Sequence, residues 1–158
     1  MGEFKKIYVA GAGVMGNGIA QVAADCGYEV NIFDLKKEIV DEAIVTIEAS
    51  LKRLVKKGKI TEDEKESTLS RITPSVDLKD ASDADIVVEA AFESLDVKKQ
   101  LFQELDGICK KETILGSNTS SLPISAIATA TGRRDKVIGI HFMNPVPLMR
   151  GVEIIPGV

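Results

Sequence analysis

The sequence predicts a doubly wound, mostly parallel α/β sheet with a long helical-pair excursion after the second strand. Three observations carry that expectation. Strand-like and helix-like segments alternate along the chain, the order expected when helices cover both faces of a parallel sheet. A glycine-rich turn, Gly11-Ala12-Gly13-Val14-Met15-Gly16, joins the first strand-like run to the first helix-like run. The run DIVVEA at 85–90 is nearly continuous in apolar residues, as strands buried on both faces are.

Residues 6–10 form a short β-rich run, 14–26 have helical spacing, and 29–34 are again strand-like, which makes one βαβ unit. Beyond it, Ile39, Ala43, Ile47, Leu51, Leu54 and Val55 recur at helical intervals until Gly58 interrupts them. Thr61 and Glu64 read as a capping box that starts a second helix, the hydroxyl and the carboxylate each satisfying a free backbone N–H. A short strand is expected at 71–76, a strand at 85–90, a helix at 95–109, a strand at 113–117, a helix at 124–130 and a strand at 136–141. Pro145 and Pro147 then forbid a helix and favour extended or turn conformations, and 152–155 is strand-like.

The whole chain, residues 1–158, is read as one domain, long enough to close a hydrophobic core without disulfide or metal staples. Apolar residues at 44% and charged residues at 28% match ordinary soluble domains. A net charge of -4 lacks the general footprint of a nucleic-acid binder, so none is expected as a partner. Cys26 and Cys109 lie far apart with no metal-ligand spacing, so neither a metal site nor a disulfide is expected, and a reducing cytoplasm is the natural compartment. Residues 1–6 have no apolar stretch of a secretory signal, and Lys6 stands where a myristoylated Gly2 would require Ser or Thr. No run approaches the roughly 18 apolar residues of a membrane span, so no membrane partner is expected.

The glycine turn is a GxGxxG between strand and helix, and Asp34 closes the next strand. Gly11 permits a tight turn, Gly13 lets a pyrophosphate approach the backbone, and Gly16 allows close packing, while the first-turn N–H groups around Val14 and Met15 face the phosphates. Asp34 is suited to accept hydrogen bonds from ribose hydroxyls and to repel a 2′-phosphate, so NAD is expected rather than NADP. This is the Rossmann arrangement. Flavin and S-adenosylmethionine sites use related turns, and the rest of the chain has to decide among them.

Ligands of open parallel sheets bind beyond the carboxyl ends of the strands. Glu93, the cluster Asn118-Thr119-Ser120-Ser121, and His141 with Asn144 all follow predicted strands, so they should share one rim with the glycine turn. His141 is the single histidine and the side chain best suited to accept a proton near neutral pH. Glu153 is a candidate to orient it, the alternative being a solvated carboxylate on an edge strand. Ser120 is a candidate for a substrate oxygen, the alternative being a cap for the helix near Pro123. Lys52, Arg53, Lys56, Lys57 and Lys59 form a basic patch that would suit a phosphate-rich substrate, although composition alone favours a solvated helix face.

The run VAGAGVMGNGIAQVAADCGYEVNIFD, the segment VVEAAFESLDVKKQLFQELD, and above all SNTSSLPIS followed by GIHFMNPVPLMRGVEII resemble the short-chain 3-hydroxyacyl-CoA dehydrogenases, including bacterial 3-hydroxybutyryl-CoA dehydrogenases. The likeness covers essentially the whole chain. It implies His141 as catalytic base, Glu153 as its partner, and Ser120 beside substrate and nicotinamide. By the same resemblance NAD contacts fall on the glycine turn, Asp34, Glu93, Lys98 and Asn144, and CoA contacts on Ser50 and Lys57. The implied reaction is (S)-3-hydroxyacyl-CoA plus NAD⁺ to 3-oxoacyl-CoA plus NADH. Members of the family continue into an all-helical domain that dimerises and closes the site. Little turnover, but retained NAD(H) binding, is therefore expected of these 158 residues.

Two rival readings remain open: a family relative acting on a free hydroxy or sugar acid, and a non-catalytic NAD-binding module. A Tyr-dependent short-chain dehydrogenase is excluded, because Ala12 and Ile32 stand where Tyr8 and Tyr28 would need a lysine.

Overall fold

The structure, a computed structural model, describes residues 4–157, so the readings that involve Gly2 lie outside the described residues. Strands β1 (Lys6–Ala10), β2 (Glu29–Phe33), β3 (Ile72–Ser75), β4 (Ile86–Glu89), β5 (Ile114–Ser117), β6 (Val137–Phe142) and β7 (Val152–Pro156) form one sheet in the order β3-β2-β1-β4-β5-β6-β7. The first six run parallel, and β7 pairs antiparallel with β6 at the edge. From β1 the chain winds outward through β2 and β3, then returns to β4 and winds the other way. The winding reverses between β1 and β4, and a crevice opens there beyond their carboxyl ends.

Side chains alternate across the sheet and divide its core in two. Val9 of β1 joins the cluster covered by α1 (Val14–Asp25) and α2 (Lys37–Lys56), through Ile19, Ala24, Val40, Ile47 and Leu51. Its neighbours Tyr8 and Ala10 join the opposite cluster, with Phe102 and Leu105 of α4 (Leu95–Ile108) and Ile127 of α5 (Ile124–Ala128). On α2 the buried positions Val40, Ala43, Ile47 and Leu51 lie three or four residues apart, which puts one stripe against the sheet. The helix ends at Lys57, with Gly58 at a φ of +64°. Helix α3 (Glu62–Ser70) starts on the expected capping box: Glu64 N–H donates to Thr61 Oγ1 at 3.1 Å, and Thr61 N–H donates to Glu64 Oε2 at 2.7 Å.

One expectation needs correcting. Pro145 and Pro147 do not keep this segment free of helix, because Val146–Leu148 makes one 3₁₀ turn. Pro147 sits in that first turn, where a missing N–H leaves no bond unmade. Val146 is buried there against α1, and a Cβ on Gly18 would come within 2.8 Å of it. Gly18 thus opens the space that seats the turn. Among the described residues no helix is long and apolar enough to cross a membrane.

Candidate active site

The glycine turn closes on itself by contacts only glycine allows. Gly11 has a φ of +113°, and a Cβ there would lie 2.5 Å from the Ala90 carbonyl oxygen. A Cβ on Gly16 would lie 1.7 Å from the Gly11 carbonyl oxygen, so the close packing is of helix on turn more than of helix on strand. A Cβ on Gly13, by contrast, would meet nothing within 4 Å. Gly13 is the N-cap of α1 and lends no side-chain cap, so the first-turn N–H groups of Val14, Met15 and Gly16 face that open space. Asp34, at the end of β2, accepts a hydrogen bond from Ala12 N–H at 3.1 Å, which aims its carboxylate at the turn.

Two clefts flank the turn and share Ala90 and Ala91 as a common wall. The larger, about 720 Å³, runs from Gly11, Gly13 and Asp34 into a mostly apolar recess that includes Leu35, Ile39, Val76 and Leu101. The smaller, about 260 Å³, is lined by Met15, Glu93, Lys98, Asn118, Ser120 and Ser121. Together they make a trough across the carboxyl ends of β1 and β4. It has an apolar recess for a base, an acid for a ribose, open N–H groups for phosphates and a polar end. These residues fit a dinucleotide.

Beyond the polar end lies a hydrogen-bonded chain. In the β6–β7 register His141 stands directly opposite Glu153, so their side chains share a face. His141 Nδ1 lies 2.8 Å from Glu153 Oε2, and Nε2 lies 3.1 Å from Ser120 Oγ. An ionised carboxylate only accepts hydrogen bonds, so a neutral ring keeps its proton on Nδ1 and turns the Nε2 lone pair toward Ser120. Glu153 is therefore bonded to the ring, although its side chain stays 59% exposed. Ser120 does not cap α5, whose N-cap is Pro123 with no side-chain bond. Asn118, just after β5, ties its segment to the end of β6, its Oδ1 accepting from Phe142 N–H at 2.8 Å.

Beneath the smaller cleft, Lys98 Nζ lies 2.5 Å from Glu89 Oε1 and 3.2 Å from Glu93 Oε2. Glu89 Oε2 accepts from Ser117 Oγ at 2.6 Å, and Glu89 Oε1 accepts from Ala91 N–H at 2.7 Å. Burial works against the charge of Glu93, yet hydrogen bonds from Thr119 and Ser121 and the adjacent Lys98 ammonium hold its carboxyl below the usual range.

The structure thus brings the glycine turn, Asp34, Glu93, Lys98, Ser120, His141 and Glu153 to one rim. Asn144 is exposed and lines neither cleft. Ser50 and Lys57 lie far along α2, whose one contribution to the clefts is Ile39 near its start. Within the basic patch, Lys52 pairs with Glu48 at 2.7 Å. Sequence reasoning missed Glu89 and Ser117, whose signal was a carboxylate inside a strand otherwise buried on both faces, where a charge requires a partner.

Residues 6–158 match the family model described as 3-hydroxyacyl-CoA dehydrogenase, NAD binding domain. This chain belongs to that family. NAD is the cofactor of this domain. It is 50% identical over 155 residues to a probable 3-hydroxybutyryl-CoA dehydrogenase of Bacillus subtilis, covering 98% of this chain and 54% of the relative. A probable 3-hydroxybutyryl-CoA dehydrogenase of Deinococcus radiodurans is 53% identical over 152 residues, covering 96% of this chain and 54% of that protein. The crystal structure of (S)-3-hydroxybutyryl-CoA dehydrogenase from Ralstonia eutropha superposes with a TM-score of 0.96 at 44% identity, over 99% of this chain and 55% of that one. The chain therefore spans about half the length of these relatives.

Proposed function

We propose that this chain is the cofactor-binding half of a cytoplasmic dehydrogenase that interconverts (S)-3-hydroxyacyl-CoA, in the first place 3-hydroxybutyryl-CoA, and 3-oxoacyl-CoA. The observation that carries the reading is the chain of hydrogen bonds Ser120–His141–Glu153 at the polar end of the dinucleotide trough. NAD⁺, when bound, supplies the acceptor for the hydride that leaves the alcohol carbon. His141 Nε2 takes the proton of the 3-hydroxyl, and in the reverse direction returns it. Glu153 keeps the other ring nitrogen protonated and stabilises the imidazolium. Ser120 Oγ, 3.1 Å from Nε2, holds the substrate oxygen in line with that nitrogen.

Asp34 holds the adenosine ribose, Glu93, Lys98 and Asn144 contact NAD, and Ser50 and Lys57 contact CoA, the basic patch around Lys57 supporting phosphate recognition. The half of the relatives that this chain does not span supplies the rest of the acyl pocket and the subunit contacts. The test is to titrate the 158-residue chain with NADH and then with acetoacetyl-CoA, and to follow NADH oxidation beside a full-length relative. Binding of both ligands with turnover far below the full-length rate is expected. Failure to bind acetoacetyl-CoA, or rates equal to those of the full-length relative, would overturn the proposal.

A further inference from the structure

The three ionisable groups beneath the smaller cleft do not share one environment. Glu89 on β4 is completely buried and Lys98 on α4 is 1% exposed, whereas the side chain of Glu93 is 45% exposed and lines the cleft. Glu89 accepts three hydrogen bonds, from Lys98, Ala91 N–H and Ser117, which are the partners of a carboxylate. Lys98 Nζ donates to Glu89 and to the Ala91 carbonyl oxygen at 3.3 Å, and lies 3.2 Å from Glu93 Oε2. A buried ion pair is weak evidence of stabilisation, because apolar residues of similar volume often serve as well. Its use here is better sought in the field it creates.

Two carboxylates against one ammonium leave a net negative charge under the polar end of the trough. The oxidised nicotinamide ring carries a positive charge and the reduced ring none, while the remainder of the dinucleotide is the same in both forms. We propose that Glu89, Lys98 and Glu93 act as one charge-setting cluster that weights the pocket toward the oxidised nucleotide, with Glu89 a positioning residue that acts through Lys98. This rests on the assignment of the smaller cleft to the nicotinamide. By linkage, the same preference pulls the bound equilibrium toward reduction of the 3-oxo substrate.

The test is the ratio of the NAD⁺ and NADH dissociation constants, measured by calorimetry on the wild-type chain, Glu89→Gln, Glu93→Gln and Ser117→Ala. Both Gln variants remove one negative charge, and each should raise the ratio by about fivefold, the effect of a unit charge at moderate screening. Ser117→Ala removes a hydrogen bond from Glu89 without changing charge, so its two constants should move together. Lost packing shifts both constants alike, whereas a charge effect separates them. If Glu89→Gln does not fold, Glu93→Gln decides the matter, since its side chain is half-exposed. Ratios within twofold of wild type in the folded Gln variants overturn the inference. A wild-type chain that binds neither nucleotide overturns the cofactor reading and this inference with it.

Discussion

Replacing Gly13 with alanine adds a methyl group that meets no protein atom within 4 Å, while the same change at Gly16 puts a carbon 1.7 Å from the Gly11 carbonyl oxygen. The two variants therefore separate folding from cofactor binding. Gly13 has a φ of -68° and a ψ of -163°, which alanine adopts without strain. Reduced freedom of the unfolded chain contributes about 0.4–1 kcal/mol, and alanine is a poorer N-cap than glycine by a similar amount, so stability should stay within about 0.5 kcal/mol of wild type. The added methyl nevertheless stands where the pyrophosphate approaches the first turn of α1, and NADH affinity should fall at least tenfold, about 1.4 kcal/mol. Gly16→Ala has to push α1 away from the turn by more than about 1 Å, an overpacking worth roughly 1–3 kcal/mol, and it should both lower the melting temperature and abolish binding. Thermal melts together with NADH titrations read both quantities. A Gly13→Ala protein that melts like wild type and still binds NADH at wild-type affinity would refute the placement of the phosphates.

Three further outcomes are expected. In this chain fused to the remaining half of a full-length relative, Glu153→Gln should lower kcat by about 10²-fold or more with a much smaller change in KM, because the ring loses its orienting charge; equal kcat values in steady-state assays would remove Glu153 from the mechanism. Ile47→Ala, which empties a site 1% exposed between α2 and the sheet, should destabilise the chain by about 2–4 kcal/mol in urea unfolding, yet leave NADH affinity in the folded protein unchanged. Asp85 is held at about 2, against an ordinary 3.8, by the Lys110 ammonium and the N–H groups of Lys5 and Lys6. The folded value lies below the unfolded one, so its contribution is complete above about pH 4 and is lost as the pH falls toward 2. Solvent screening at this partly exposed site limits that contribution to about 1–2 kcal/mol, and the stability gap between wild type and Asp85→Asn should close over that window.

Features written in local spacing were open to sequence reasoning. The capping box of Thr61 and Glu64 needs only three residues of separation, and the glycine turn is defined by backbone closeness that glycine alone permits. The rim could be anticipated as well, since in a parallel sheet the residues that follow the strands share one end. What stayed hidden depends on which strands lie side by side. Glu89 and Ser117 meet because β4 and β5 are neighbours in register, and DIVVEA read by itself is simply an apolar strand. The pairing of His141 with Glu153 was a candidate from the sequence, but its geometry depends on a strand that turns back antiparallel at the edge. The 3₁₀ turn at Val146–Leu148 was missed because proline rules forbid helix interiors but permit first turns, and because the space for Val146 is provided by Gly18, over a hundred residues earlier.

Calorimetric titration of NADH and NADPH into the wild-type chain and into Asp34→Ala bears most directly on whether this trough is an NAD site. The carboxylate beside Ala12 N–H should hold the ribose hydroxyls and repel a 2′-phosphate. Wild type should bind NADH well and NADPH poorly, and the variant should lose NADH affinity at least tenfold, about 1.4 kcal/mol, and with it most of the discrimination between the two. Unchanged NADH affinity and unchanged discrimination in a folded Asp34→Ala protein would contradict the account.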